Sequence, residues 1–70
     1  MMNQVERIKR MYPRGTRVEL IQMGNDPHPI PAGTKGTVAY VDDIGQIDIE
    51  WDNGRTLSLI PGEDAFKVIG

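Results

Sequence analysis

The chain has 70 residues, no cysteine and a net charge of −2, so one compact core is the limit and neither a disulfide nor a zinc-thiolate site can staple it. No apolar run approaches the ~20 residues of a membrane span and no secretory leader opens the chain, so a cytoplasmic protein without membrane attachment is expected. Charge is uneven: through Arg17, five basic residues stand against the single acid Glu6, whereas from residue 18 onward three basic residues face nine acids.

Asn3 is placed to cap a helix in which Val5, Ile8 and Met11 or Tyr12 recur at three- to four-residue spacing, ended by Pro13 and Gly15. A helix of about ten residues is marginal alone and has to dock on something. Residues 1–14 are read as a basic helix and linker, and residues 15–70 as one folded unit. Residues 17–22 alternate, with Val18 and Leu20 on one face and Arg17 and Glu19 on the other, as in a half-buried strand. Residues 23–34 carry Pro27, Pro29 and Pro31 without a period and are expected to form a long loop.

A second strand is expected over residues 35–41 and a turn over Asp42-Asp43-Ile44-Gly45. In residues 46–51, Ile47, Ile49 and Trp51 point inward while Gln46, Asp48 and Glu50 point outward. Asn53-Gly54 predicts a type I′ hairpin, because that turn needs positive φ at both central residues. Leu57 and Leu59 continue the inner face, Pro61 to Asp64 make a tight turn or one 3₁₀ turn, and residues 65–69 form a last strand contributing Phe66 and Val68. The fold class expected from this order is mainly β: a small five-stranded SH3-like barrel, closed through the hairpin, with a short N-terminal α-helix.

The segments Gly15-Thr16-Arg17-Val18-Glu19-Leu20, Pro31-Ala32-Gly33-Thr34-Lys35-Gly36-Thr37-Val38, Val41-Asp42-Asp43-Ile44-Gly45, Trp51-Asp52-Asn53-Gly54 and Leu59-Ile60-Pro61-Gly62 resemble a family of small bacterial and phage proteins known as domain of unknown function 4314. The likeness runs from residue 11 to residue 69. It implies a barrel and a frequent home on mobile elements, and no catalytic or ligand residue is carried over with it.

Residue chemistry narrows the function classes. His28 is the only histidine and Ser58 the only serine; with no cysteine and no orienting partner beyond Asp26 near His28, hydrolytic triads have no parts. Gly33-Thr34-Lys35-Gly36-Thr37 leads into a strand and not a helix, so it reads as the tight start of β structure and not as a phosphate loop. Asp48, Glu50 and Asp52, spaced by two, share one outward face, but carboxylates ~6–7 Å apart along a strand rarely converge on one cation. No catalytic, cofactor-binding or metal-ligating residue is therefore assigned.

The expected function is a non-enzymatic module that binds a protein partner, as a monomer or small homo-oligomer. The candidate partner-binding residues are Asp26, Pro27, His28, Pro29 and Ile30 of the loop, with Tyr40 and Trp51 beside it. The alternation with Ile47 and Ile49 also gives Trp51 a plainer role in closing the core. The alternative is a nucleic-acid-associated protein in which Arg7, Lys9, Arg10, Arg14 and Arg17 meet phosphates or an acidic partner. Against it, the barrel is acidic and Trp51, Tyr40 and Phe66 are mostly expected inward, where no base can stack. The same basic helix is expected to lie over the face of Asp48, Glu50 and Asp52, in its own chain or in a second copy.

Overall fold

A computed structural model describes residues 2–70. Helix α1 spans Gln4–Met11. Asn3 caps it as expected, its Oδ1 accepting the Glu6 N–H at 2.8 Å, and Lys9 and Arg10 in the last turn complement the helix dipole. The Tyr12 N–H still reaches the Ile8 carbonyl, after which Pro13, lacking an N–H, stops the ladder. No helix among the described residues is long and apolar enough to cross a membrane.

Five strands follow: β1 Arg17–Gln22, β2 Lys35–Val41, β3 Ile47–Trp51, β4 Thr56–Leu59 and β5 Ala65–Val68. All pair antiparallel in one sheet of order β4-β3-β2-β1-β5. The expected closed barrel is not formed, because the two edge strands, β4 and β5, do not pair with each other. Both are only four residues long, and the turn between them carries Pro61, which has no N–H to give. The link is nevertheless short. Six peptide steps from Leu59 to Ala65 reach at most ~20 Å, and four flat interstrand spacings of ~4.8 Å would already take up about that much. Since the Glu63 and Asp64 N–H groups fold back onto the Ile60 carbonyl, at 3.0 Å each, the sheet has to curl to bring its edges within reach.

The concave side of that curl holds the core: Val18, Leu20, Val38, Ile47, Ile49, Trp51 and Leu59 from the strands, and Ile30 from the loop. Gly36 is what admits the tryptophan. A Cβ there would come within 2.5 Å of Ile49 Cγ2 and 2.8 Å of Trp51 Cε3, so the bare backbone of β2 leaves the space that the indole occupies. The Trp51 Nε1–H is satisfied by the Leu57 carbonyl at 3.0 Å. Phe66 is half-buried and packs against Tyr12 with ring centroids 5.4 Å apart, whereas Val68, expected in the core, lies on the edge strand and is half exposed.

The Trp51 to Gly54 hairpin differs from the expected type I′ turn. Only Gly54 has positive φ, at 89°, and among the described residues no non-glycine does. The loop has three residues, closed by Trp51 N–H to Arg55 carbonyl at 2.9 Å, and Gly54 N–H donates to the Trp51 carbonyl at 3.0 Å. Asn53 instead uses its side chain, Oδ1 accepting the Arg55 N–H at 3.1 Å. Residues 61–64 form a tight turn and not a 3₁₀ helix.

The long loop is tied down throughout. Ile30 is buried in the core, the Arg55 guanidinium donates to the carbonyls of His28 at 2.6 Å and Pro29 at 3.3 Å, and Gly33 N–H meets the Leu20 carbonyl at 2.7 Å. At its other end, one Asp64 carboxylate oxygen accepts the Gly24 N–H at 2.6 Å while its second accepts the Ile60 N–H at 2.7 Å. One side chain thereby pins the loop to the β4–β5 link.

Candidate functional site

The residues proposed from sequence as one binding patch divide between core and surface. Ile30 and Trp51 are 2% and 3% exposed and cannot meet a partner: the first seals the core from the loop side, the second fills it from β3. Pro27, His28 and Pro29 remain exposed, but two of their carbonyls are taken by Arg55. Asp26 is occupied locally, its Oδ1 accepting the His28 N–H at 2.8 Å.

Tyr40 departs from its expected place in the opposite direction. Strict alternation after Val38 would bury it, yet it is 59% exposed. The cause is a bulge: Val38 pairs with Ile49 and Tyr40 with the adjacent Asp48, so that Ala39 and Tyr40 together occupy one step of β3. The extra residue reverses the parity of the strand. Tyr40 goes to the outer face, and Val41, opposite Ile47, returns to the core side.

On that outer face Tyr40, Asp48 and Ser58 form one row across β2, β3 and β4, with Thr37, Glu50 and Thr56 in the next. The Ser58 hydroxyl donates to Asp48 Oδ1. The Tyr40 hydroxyl is held above its ordinary pKa, first by the neighbouring Asp48 carboxylate, then by desolvation and by the charge of Asp42. Glu50 is exposed and has no ion-pair partner among the described residues. Tyr40, Asp48, Glu50, Thr56 and Ser58 surround an open concavity of about 420 Å³.

A second open concavity, of about 400 Å³, shares Ala39 and Tyr40 with the first and is otherwise bounded by Lys9, Tyr12, Pro13, Arg14 and Val41. Tyr40 therefore stands on a divide, with acidic groups on one side and basic groups on the other.

The five basic residues predicted to act together do not. Arg17 sits on the outer face of β1, its guanidinium paired with both carboxylate oxygens of Asp52 at 2.7 and 2.6 Å and donating to Thr37 Oγ1 at 2.9 Å. The pairing lowers the Asp52 pKa and raises that of Arg17, through the shared hydrogen bonds first. Nor does α1 lie over Asp48, Glu50 and Asp52. Its Ile8 and Val5 rest on the β2–β3 turn, where a Cβ on Gly45 would be 3.3 Å from Ile8 Cδ1 and 3.6 Å from Val5 Cγ2. Apolar contact sets this position, and Lys9 adds an exposed pair with Asp43 at 3.5 Å. Arg7, Arg10 and Arg14 are exposed, without an ion pair among the described residues.

Two structural features that shape this surface have no local signal in the sequence. The bulge at Ala39 was hidden because alanine is neutral as to face. The Arg55 clamp was hidden because it joins positions 26 and 27 residues apart. What remains on the surface is an exposed ring, carboxylate acceptors and an open strand edge.

A family model covers nearly the whole of this arrangement. The chain belongs to the family described as Domain of unknown function (DUF4314), which matches residues 1–69. No curated protein and no solved structure matches this DUF4314 chain.

Proposed function

We propose that this DUF4314 chain is a protein-interaction module that acts by binding and not by catalysis, holding an extended basic segment of a partner against Tyr40, Asp48 and Glu50. The observation that carries this reading is the 59% exposure of Tyr40, turned outward by a bulge and standing over an acid-lined concavity. Tyrosine contributes a large, rigid contact area at little entropic cost and is enriched where interfaces concentrate their energy. Asp48 and Glu50 select for positive charge, and β4, the open edge beside them, offers backbone groups to an extended chain. Two members of the loop patch, Ile30 and Trp51, are excluded by burial, so the interface moves to the other side of the sheet.

The test is a panel of extended synthetic peptides, with and without lysine and arginine, titrated against the intact chain by calorimetry. Basic members bind, and Tyr40→Ala and Glu50→Lys each weaken them by at least about tenfold, or ~1.4 kcal/mol. Equal binding by Tyr40→Ala, or no binding by any peptide, sinks the reading.

A second reading has one observation in its favour: Arg7, Arg10 and Arg14 are exposed and free of ion pairs among the described residues, as contact with nucleic-acid phosphates requires. Arg17 is committed to Asp52, so the basic set is smaller than the sequence suggested. Retention of labelled DNA or RNA at about 50 mM salt, falling steeply by about 200 mM, is its signature.

A further inference from the structure

We infer that the partner of the Tyr40 face is a second copy of this chain, joined about a twofold axis that passes near Tyr40. The inference rests on the reading above for its Tyr40 and acidic face, and takes the basic groups from residues 9–14 of the other copy, the last turn of α1 and the segment after it, in place of an extended peptide. The Tyr40 surface is divided by charge, with Lys9 and Arg14 bordering one concavity, Asp48 and Glu50 the other, and Ala39 and Tyr40 common to both. In a twofold interface the same patch faces itself after half a turn. Such a rotation about the divide lays each basic bank over the partner's acidic bank, with the two Tyr40 rings at the centre.

The charges needed are left over within one chain. Arg14 and Glu50 have no ion pair among the described residues, and the helix that carries the basic residues is held on the β2–β3 turn, away from the acidic face of its own sheet. Among the described residues Lys9 makes only an exposed pair with Asp43 at 3.5 Å, and pairing of the basic bank with Asp48 and Glu50 of its own sheet is prevented by the apolar docking of Val5 and Ile8. With Cα extents of 36 × 24 × 16 Å, even the broadest side of the molecule offers little more than the ~800 Å² per partner of a standard interface. The dimer is accordingly small, salt-sensitive and concentration-dependent.

Sedimentation equilibrium of the intact chain tests this with the protein itself as probe. Dimer is expected at about 50 mM salt in the hundred-micromolar range, with the dissociation constant rising at least about tenfold by about 500 mM. Glu50→Lys and Arg14→Glu, both at exposed positions, each weaken self-association by at least about tenfold. Mixed in equal amounts, the two variants re-form a dimer, because every facing pair is again of opposite sign. Circular dichroism establishes that each variant is folded. A chain that stays monomeric at about 500 µM in low salt, or folded variants that associate as the parent does, or a mixture that fails to associate, overturns the inference. A monomeric chain that still binds basic peptides sinks self-association and leaves the preceding reading standing; one that does neither removes both.

Discussion

The 23–34 loop and the outer face of β2, β3 and β4 are both exposed and polar, yet they use their groups in opposite ways. In the loop, Ile30 is buried, Asp26 caps a neighbouring N–H, two carbonyls are held by Arg55 and Gly24 is held by Asp64. On the outer face, Tyr40 and Glu50 remain exposed, Glu50 has no ion pair among the described residues, and Asp48, flanked by Tyr40 and Ser58, accepts from the Ser58 hydroxyl. Prolines and a histidine made the loop look like a binding site, but its internal bonding marks it as a lid on the core. The difference teaches that a surface available for recognition is better identified by what it leaves unsatisfied than by its composition.

The sharpest way to break this contrast is at Ile30. Ile30→Ala is expected to cost about 2–5 kcal/mol, since it removes buried carbons and leaves a cavity, a large share of the stability of so small a domain. Urea unfolding measures it. A loss below about 1 kcal/mol would mean that the loop is detachable after all.

Asp64→Ala comes next. It strips acceptors from the Gly24 and Ile60 N–H groups at once, for an expected loss of about 2 kcal/mol, with hydrogen exchange accelerating at both amides and in the loop between.

The Arg17 pair with Asp52 is a weaker, pH-dependent device. Its folded carboxyl lies below the usual value because Arg17 donates to it, so its contribution is complete above the ordinary aspartate range near ~3.9 and disappears as pH falls through the lowered folded pKa. Asp52→Asn should flatten that part of the acid unfolding curve.

The smallest effect belongs to Tyr40. Tyr40→Ala should leave stability within about 0.5 kcal/mol, in contrast to Ile30, while weakening peptide binding and self-association by at least about tenfold. Its hydroxyl is held above the ordinary range by the neighbouring Asp48, so any stabilisation from that proximity is full below ~10 and lost as pH rises through the folded pKa. Absorbance titration in a Tyr12→Phe background should show the Tyr40 midpoint fall when Asp48 becomes asparagine. An unmoved midpoint would remove Asp48 from the Tyr40 environment.

Sequence patterning revealed most of the sheet because its signals are local. The alternation of Ile47, Ile49 and Trp51 announces a strand whatever it pairs with, and β1 and β2 match their expected bounds, residues 17–22 and 35–41. Where the reading failed, the deciding interaction was remote or without a period. Tyr40 was assigned to the wrong face because a bulge depends on how β2 meets β3, and Ala39 suits either side. Ile30 was assigned to the surface because prolines around it leave no pattern from which burial can be read. The open sheet could not be told from a barrel, since strand order is the same until the edge hydrogen bonds are counted. The acidic side of the site was legible in the spacing of Asp48 and Glu50; its aromatic centre was recognised as a candidate but was expected inside.

The link over residues 60–64 works as a bowstring. By holding the ends of β4 and β5 closer than a flat five-stranded sheet would place them, it keeps the sheet under a fixed bend, and the spacing of side chains on the opposite face follows from that bend. Lengthening this link, far from Tyr40 along the chain, is therefore a means of tuning the groove without altering any residue that lines it.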